Sequence, residues 1–130
     1  GGHAQVMETN GDRASAVTPV ELLLVALGGC TGSDIVDILR KKREQITDYR
    51  IEVKGERRAD FPRSFKTIRV RHIIKGHNLS EAAVKHAVEL SDSKYCSVAA
   101  TLRPAAEISV SFEIIQEEAV PKLVGAPAGS

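Results

Sequence analysis

The chain's only two thiols, Cys30 and Cys96, are its strong nucleophiles, and they stand far apart in sequence. Cys30 lies in Gly28-Gly29-Cys30-Thr31-Gly32, and Cys96 follows Lys94-Tyr95 and precedes Ser97. Two chemistries fit. Both thiols can be small buried hydrophobes, since free cysteine is among the most buried residue types. Alternatively they form a redox pair in which Cys30 attacks and Cys96 resolves; the small residues around Cys30 leave room for a substrate. Asp34 lies one helical turn beyond Cys30, on the same face. A carboxylate there raises a thiol pKa, so a reactive Cys30 needs a nearby cation. The other course for Asp34 is to turn toward solvent or a sheet arginine. His3, His72, His77 and His86 have no metal-ligand spacing, and neither cysteine sits in a local zinc pattern. Each histidine is expected at the surface or on a sheet face.

The element that must position Cys30 is a central helix over Thr18–Arg43. Thr18 suits the cap, Pro19 the first helical position, and Glu21 the reciprocal place of a capping box. Glu21 precedes Cys30 by nine residues, about 180° around the axis, so it cannot face the thiol from the same helix. Leu22–Leu27 is apolar on every face and predicts burial all round. Gly28, Gly29 and Gly32 each cost about 1 kcal/mol against alanine, which predicts close packing near the thiol or a bend. Arg40-Lys41-Lys42-Arg43 reads as a solvated helix end matched to the helix dipole.

His3–Glu8 reads as a short strand, Asn10-Gly11-Asp12 as a turn, and Arg13–Val17 as a loop. Asp48–Arg58 alternates, with Tyr49, Ile51, Val53 and Gly55 on one face. Phe61-Pro62-Arg63-Ser64 closes a hairpin onto Phe65–Lys75, whose Ile68, Val70, His72 and Ile74 share a face. Ser80 caps a second helix from Glu81 to about Tyr95, with Cys96 at its end or in a continuation through Leu102. Glu107–Gln116 alternates as a further strand. The order predicts an α+β fold, an antiparallel sheet with two helices on one face. Residues 1–118 are expected to form one domain whose N-terminal strands are incomplete in this chain, and 119–130 a flexible tail. The apolar first half of the long helix needs more cover than one small sheet gives, which predicts a homodimer.

The 130 residues carry a net charge of +1 and only 4% aromatic residues, so neither nucleic acid nor an anionic membrane is an expected partner. No uninterrupted apolar run reaches the roughly 20 residues of a membrane span, and no signal peptide opens the chain. The first residue is not Met, which fits a processed or truncated N-terminus. Two cysteines without CxxC spacing fit a reducing cytoplasm.

At Thr18–Val36 (Thr-Pro-Val-Glu-Leu-Leu-Leu-Val-Ala-Leu-Gly-Gly-Cys-Thr-Gly-Ser-Asp-Ile-Val) and at 91–98 (Ser-Asp-Ser-Lys-Tyr-Cys-Ser-Val) the chain resembles the OsmC/Ohr family, named for osmotically induced protein C and organic hydroperoxide resistance. The resemblance covers most of the chain. It implies an intertwined α+β homodimer with active sites at the subunit interface. It also implies a thiol peroxidase acting on organic hydroperoxides, with Cys30 peroxidatic and Cys96 resolving, and an external dithiol as reductant. No metal or bound organic cofactor is needed for that chemistry. Three departures mark a divergent subgroup. Val20 stands where peroxidase members carry glutamate, Ser97 where many carry proline, and the family's thiolate-stabilising arginine falls in a segment upstream of Gly1. Loss of that glutamate favours the alternative, a non-enzymatic dimer that binds a small apolar ligand with structural cysteines.

Overall fold

The computed structural model describes residues 4–8 and 17–118. The turn at 10–12, most of the following loop and the tail expected from 119 lie outside the described residues. The elements run β1 (Ala4–Glu8), α1 (Glu21–Lys41), β2 (Gln45–Arg57), β3 (Phe65–His77), α2 (Glu81–Leu90), α3 (Ser97–Leu102) and β4 (Glu107–Gln116). A π-helical turn, Ser91–Tyr95, extends α2 toward α3.

The fold is α+β, as the sequence predicts, but the sheet is mixed rather than antiparallel. Its order is β1-β2-β3-β4. Only the hairpin pair β2–β3 is antiparallel; β1 runs parallel to β2 and β4 parallel to β3. The cause is connectivity. A helix between two neighbouring strands returns the chain to its starting end, so the next strand repeats the first one's direction. Two strand–helix–strand units, joined by one hairpin, build the sheet.

Alternation correctly identified the buried face. Tyr49, Ile51 and Val53 of β2 and Ile68, Val70, His72 and Ile74 of β3 are buried. They pack with Leu24, Leu27, Ile35 and Leu39 of α1 and Val84, Ala87 and Val88 of α2. The inward residues of β4, Ile108, Val110, Phe112 and Ile114, are only half-buried. β3 runs two residues past the expected Lys75 because Gly76 admits a bulge. Any Cβ there would stand 2.1 Å from the Gln45 carbonyl oxygen, beside the register shift between Ile46 and Asp48.

The expected capping box opens α1. The Thr18 backbone N–H donates to Glu21 Oε1 at 2.9 Å, and the Glu21 N–H donates to Thr18 Oγ1 at 3.3 Å. At the other end the Glu44 N–H bonds the Leu39 carbonyl and the Arg43 N–H bonds the Arg40 carbonyl. Arg43 takes φ 63°, the left-handed cap of a Schellman closure. α1 is long and apolar enough, by length and composition, to cross a membrane. In this fold it packs as the helix at the centre of the domain.

Two expectations about α1 are corrected. Leu22–Leu27 is not buried all round in the single chain: Leu22 is 55% and Leu23 43% exposed, while Leu24 and Leu27 are buried. The tight glycine is Gly32, not Gly29. A Cβ on Gly29 would meet nothing within 4 Å, whereas one on Gly32 would sit 3.1 Å from Tyr49 Cε2. The Tyr49 ring is wholly buried and cannot retreat. Gly32→Val should therefore destabilise the protein by about 1–3 kcal/mol through overpacking. Gly29→Ala should be neutral or stabilising by up to about 1 kcal/mol. Denaturant midpoints for the two variants check this; equal midpoints would remove the packing argument.

Beneath Gly32 the Tyr49 hydroxyl lies 2.6 Å from His72 Nδ1, and both residues are fully buried. His72 Nε2 has no hydrogen-bond partner. Burial lowers the His72 pKa to about 4 and pushes the Tyr49 phenol upward. A histidine neutral in the fold but protonated in the unfolded chain stabilises the fold fully above its unfolded pKa. That contribution is lost as pH falls from about 6.5 toward about 4. Stability should drop there with an extra slope approaching 1.4 kcal/mol per pH unit. His72→Leu should abolish that extra slope, whatever its absolute stability; an unchanged slope would show that other groups carry it.

Candidate functional site

α1 carries Cys30 near its middle, with Thr31 beside it and Asp34 one turn on. Cys30 is half-buried and Cys96 is 3% exposed, and both thiols are free. The second thiol is positioned by the end of α2. There the Cys96 backbone N–H donates to the Ser91 carbonyl at 2.8 Å, five residues back, closing the π-helical turn. Such wide turns are rare and concentrate at functional sites. Cys96 then leaves the helix with ψ 102° and acts as the cap of α3, its Sγ accepting the Ala99 N–H at 3.4 Å.

The two thiols and the carboxylate converge. Cys30 Sγ, Cys96 Sγ and a carboxylate oxygen of Asp34 all lie within 4.8 Å of one another. Asp34 thus turns neither to solvent nor to a sheet arginine. The Ser91 hydroxyl holds it, donating to Oδ2 at 2.9 Å. Ser91 has one hydroxyl proton and spends it on the carboxylate, so the Thr31 hydroxyl 2.8 Å away is the donor to Ser91 Oγ. Thr31 and Ser91 are both buried. Sequence reasoning did not single out either. The available signal was Ser91 itself, a hydroxyl at the stripe position after Val84, Ala87 and Val88.

Burial, with a further contribution from the neighbouring Cys30, pushes the Cys96 thiol up to about 11 against two opposing backbone N–H contacts. Asp34 also lines a cleft of about 490 Å³ with Ile38, Leu90 and Tyr95 among its walls. Of the remaining candidates, Glu21 stays in the helix cap. His77 lies at the end of β3, 3.6 Å from Glu117. A groove on the outer sheet face is lined by Lys54, Arg69 and Arg71, with Arg71 paired to Glu52 and Glu113, and neither thiol lines it. His3 lies outside the described residues. Among the described residues, the donor set able to hold a metal is Cys30, Asp34 and Cys96.

This arrangement suits a thiol pair of unequal character: one reachable sulfur, and one buried sulfur at a helix break. At neutral pH iodoacetamide should alkylate Cys30 well before Cys96, and Cys96 should gain reactivity only as pH approaches about 11. Peptide mapping of the alkylated sites over time measures this. Equal labelling at pH 7 would contradict the assignment.

The family model for OsmC-like protein matches residues 10–111. Protein YhfA of Escherichia coli strain K12 is 43% identical over 115 residues, 88% of this chain and 84% of that protein. A hypothetical protein from Aquifex aeolicus VF5 superposes with TM-score 0.75 at 38% identity, covering 84% of this chain and 80% of that one. The organic hydroperoxide resistance protein OhrB of Bacillus subtilis shares the fold, with TM-score 0.57 at 17% identity over 77% of this chain and 73% of its own. With the cysteine-bearing helix, the mixed sheet and the second cysteine at the end of α2 all in place, the chain belongs to the OsmC-like family.

Proposed function

We propose that the protein is a thiol-dependent peroxidase that reduces organic hydroperoxides. The convergence of Cys30 Sγ and Cys96 Sγ within 4.8 Å carries this reading, and the fold shared with OhrB supports it. The Cys30 thiolate attacks the terminal peroxide oxygen, breaking the O–O bond. The alcohol leaves and Cys30 becomes a sulfenic acid. The Cys96 sulfur displaces that hydroxyl as water, and the two sulfurs join as a disulfide. An external dithiol, available in a reducing cytoplasm, restores both thiols. The cleft that Asp34 lines beside the thiols joins the apolar Ile38, Leu90 and Tyr95 to the charged Asp37, Lys41 and Lys42, which gives an organic peroxide an apolar patch and a polar rim.

One equivalent of cumene hydroperoxide should remove two hydrogens from the mass of the reduced protein. Cys96→Ser should stop at the sulfenic acid or overoxidise, and Cys30→Ser should lose peroxide consumption. Free thiols in the wild type after peroxide treatment would sink this reading. The non-enzymatic ligand-binding dimer would then take its place.

The exposed Leu22 and Leu23, on a helix whose opposite side fills the core, support a homodimer that covers them. Light scattering should give twice the chain mass at micromolar concentration, and Leu22→Glu should shift it toward the monomer; a wild-type monomer would count against the assembly.

A further inference from the structure

Among the described residues, the cluster at α1 and the end of α2 lacks a paired cation. Asp34 places a carboxylate beside two thiols, and no lysine, arginine or histidine pairs with it among the described residues. The nearest acidic neighbour along the helix, Asp37, is the one that pairs with Lys41, at 3.2 Å. Ionising either sulfur adds a second negative charge to the same few ångströms. Among the described residues the site thus gathers anions with no cation paired to them, which makes it complementary to a cation from solution.

We infer that the reduced protein binds a soft divalent cation, with zinc as the type, through Cys30 Sγ, Asp34 and Cys96 Sγ. Two sulfurs and one carboxylate oxygen form a three-donor set that leaves a fourth tetrahedral position for water or substrate. Thiolate donors select zinc over magnesium or calcium. Donors bonded to zinc at ordinary lengths lie about 3.3–3.8 Å apart, so the observed spacing within 4.8 Å needs only a small inward rotation of side chains. The carboxylate already has the outer-shell support that metal-binding carboxylates need: Ser91 bonds its Oδ2, and Thr31 bonds Ser91. Each thiol releases its proton to solvent as its sulfur takes the cation. Disulfide formation consumes both sulfur donors, so metal loading and oxidation exclude each other. The far separation of Cys96 from Cys30 and Asp34 in sequence explains why no local metal motif shows.

The inference does not rest on peroxidase activity, and its test uses no peroxide. Reduced full chain is titrated with cobalt(II) and the sulfur-to-metal charge-transfer absorption is followed, with zinc then added as competitor. One cobalt per chain should bind with thiolate absorption, and zinc should displace it. Cys30→Ser and Cys96→Ser should each lose about half of that absorption or all binding. Asp34→Asn should weaken binding at least about tenfold, and Ser91→Ala should weaken it less. Circular dichroism checks that each variant is folded. The Cys30–Cys96 disulfide form of the wild type, which needs no substitution, should bind no cobalt. Cobalt binding without thiolate absorption, binding by the disulfide form, or unchanged affinity in a folded Asp34→Asn would overturn the site. That last result would mean chelation by a bare pair of thiols.

Discussion

Ser91 holds the two halves of the candidate site together. Its carbonyl takes the Cys96 backbone N–H and its hydroxyl reaches across to Asp34 on α1. One residue thus fixes the backbone that presents the second thiol and orients the carboxylate beside the first. The bond to Asp34 is charge-assisted and partly sheltered from water, which makes it stronger than an exposed neutral contact. Without it the carboxylate is free to turn outward, away from the sulfurs. The wide turn of Ser91–Tyr95 matters for the same reason. An α-helical continuation would carry Cys96 around the axis, whereas the wider turn ends the helix with its thiol against α1.

Two physical demands meet on α1. Its buried stripe of Leu24, Leu27, Ile35 and Leu39 fixes the helix rotation against the sheet. That rotation places Gly32 over the Tyr49 ring and leaves Gly29 on the open side. Cys30 falls between these faces, half-buried, where a sulfur can be both held and reached. The buried Tyr49–His72 pair under this contact is packed rather than charged. Burial drives the tyrosine pKa up and the histidine pKa down, so both stay neutral around pH 7.

Alternation and capping chemistry were legible from sequence because each is a local pattern. The capping box at Thr18 and Glu21, the Ser80 cap and the inward faces of β2 and β3 all appear where the sequence places them. Strand direction was not legible, because alternation reports which face is buried and not which way a strand runs. Helical phase could have separated Gly32 from Gly29, since Gly32 lies three residues before buried Ile35 on the core stripe. The juxtaposition of Cys96 with Cys30 lies beyond local patterns altogether. It depends on where α2 docks, and the family resemblance at 18–36 and 91–98 is what made it visible in advance. The outward turn open to Asp34 is excluded by the Ser91 hydroxyl, a contact between two helices that no local pattern announces.

The central claim is that the fold makes Cys30 and Cys96 a working pair. The most direct measurement is the fraction of chains carrying the Cys30–Cys96 disulfide across a series of dithiothreitol redox buffers. It is read by mass after alkylation, in native buffer and again in guanidinium. If the fold brings the sulfurs together, the native chain should keep its disulfide at a markedly more reducing poise than the unfolded chain. Every 30 mV of difference corresponds to about 1.4 kcal/mol supplied by the fold. A native chain that forms the bond no more readily than the unfolded one would contradict the account.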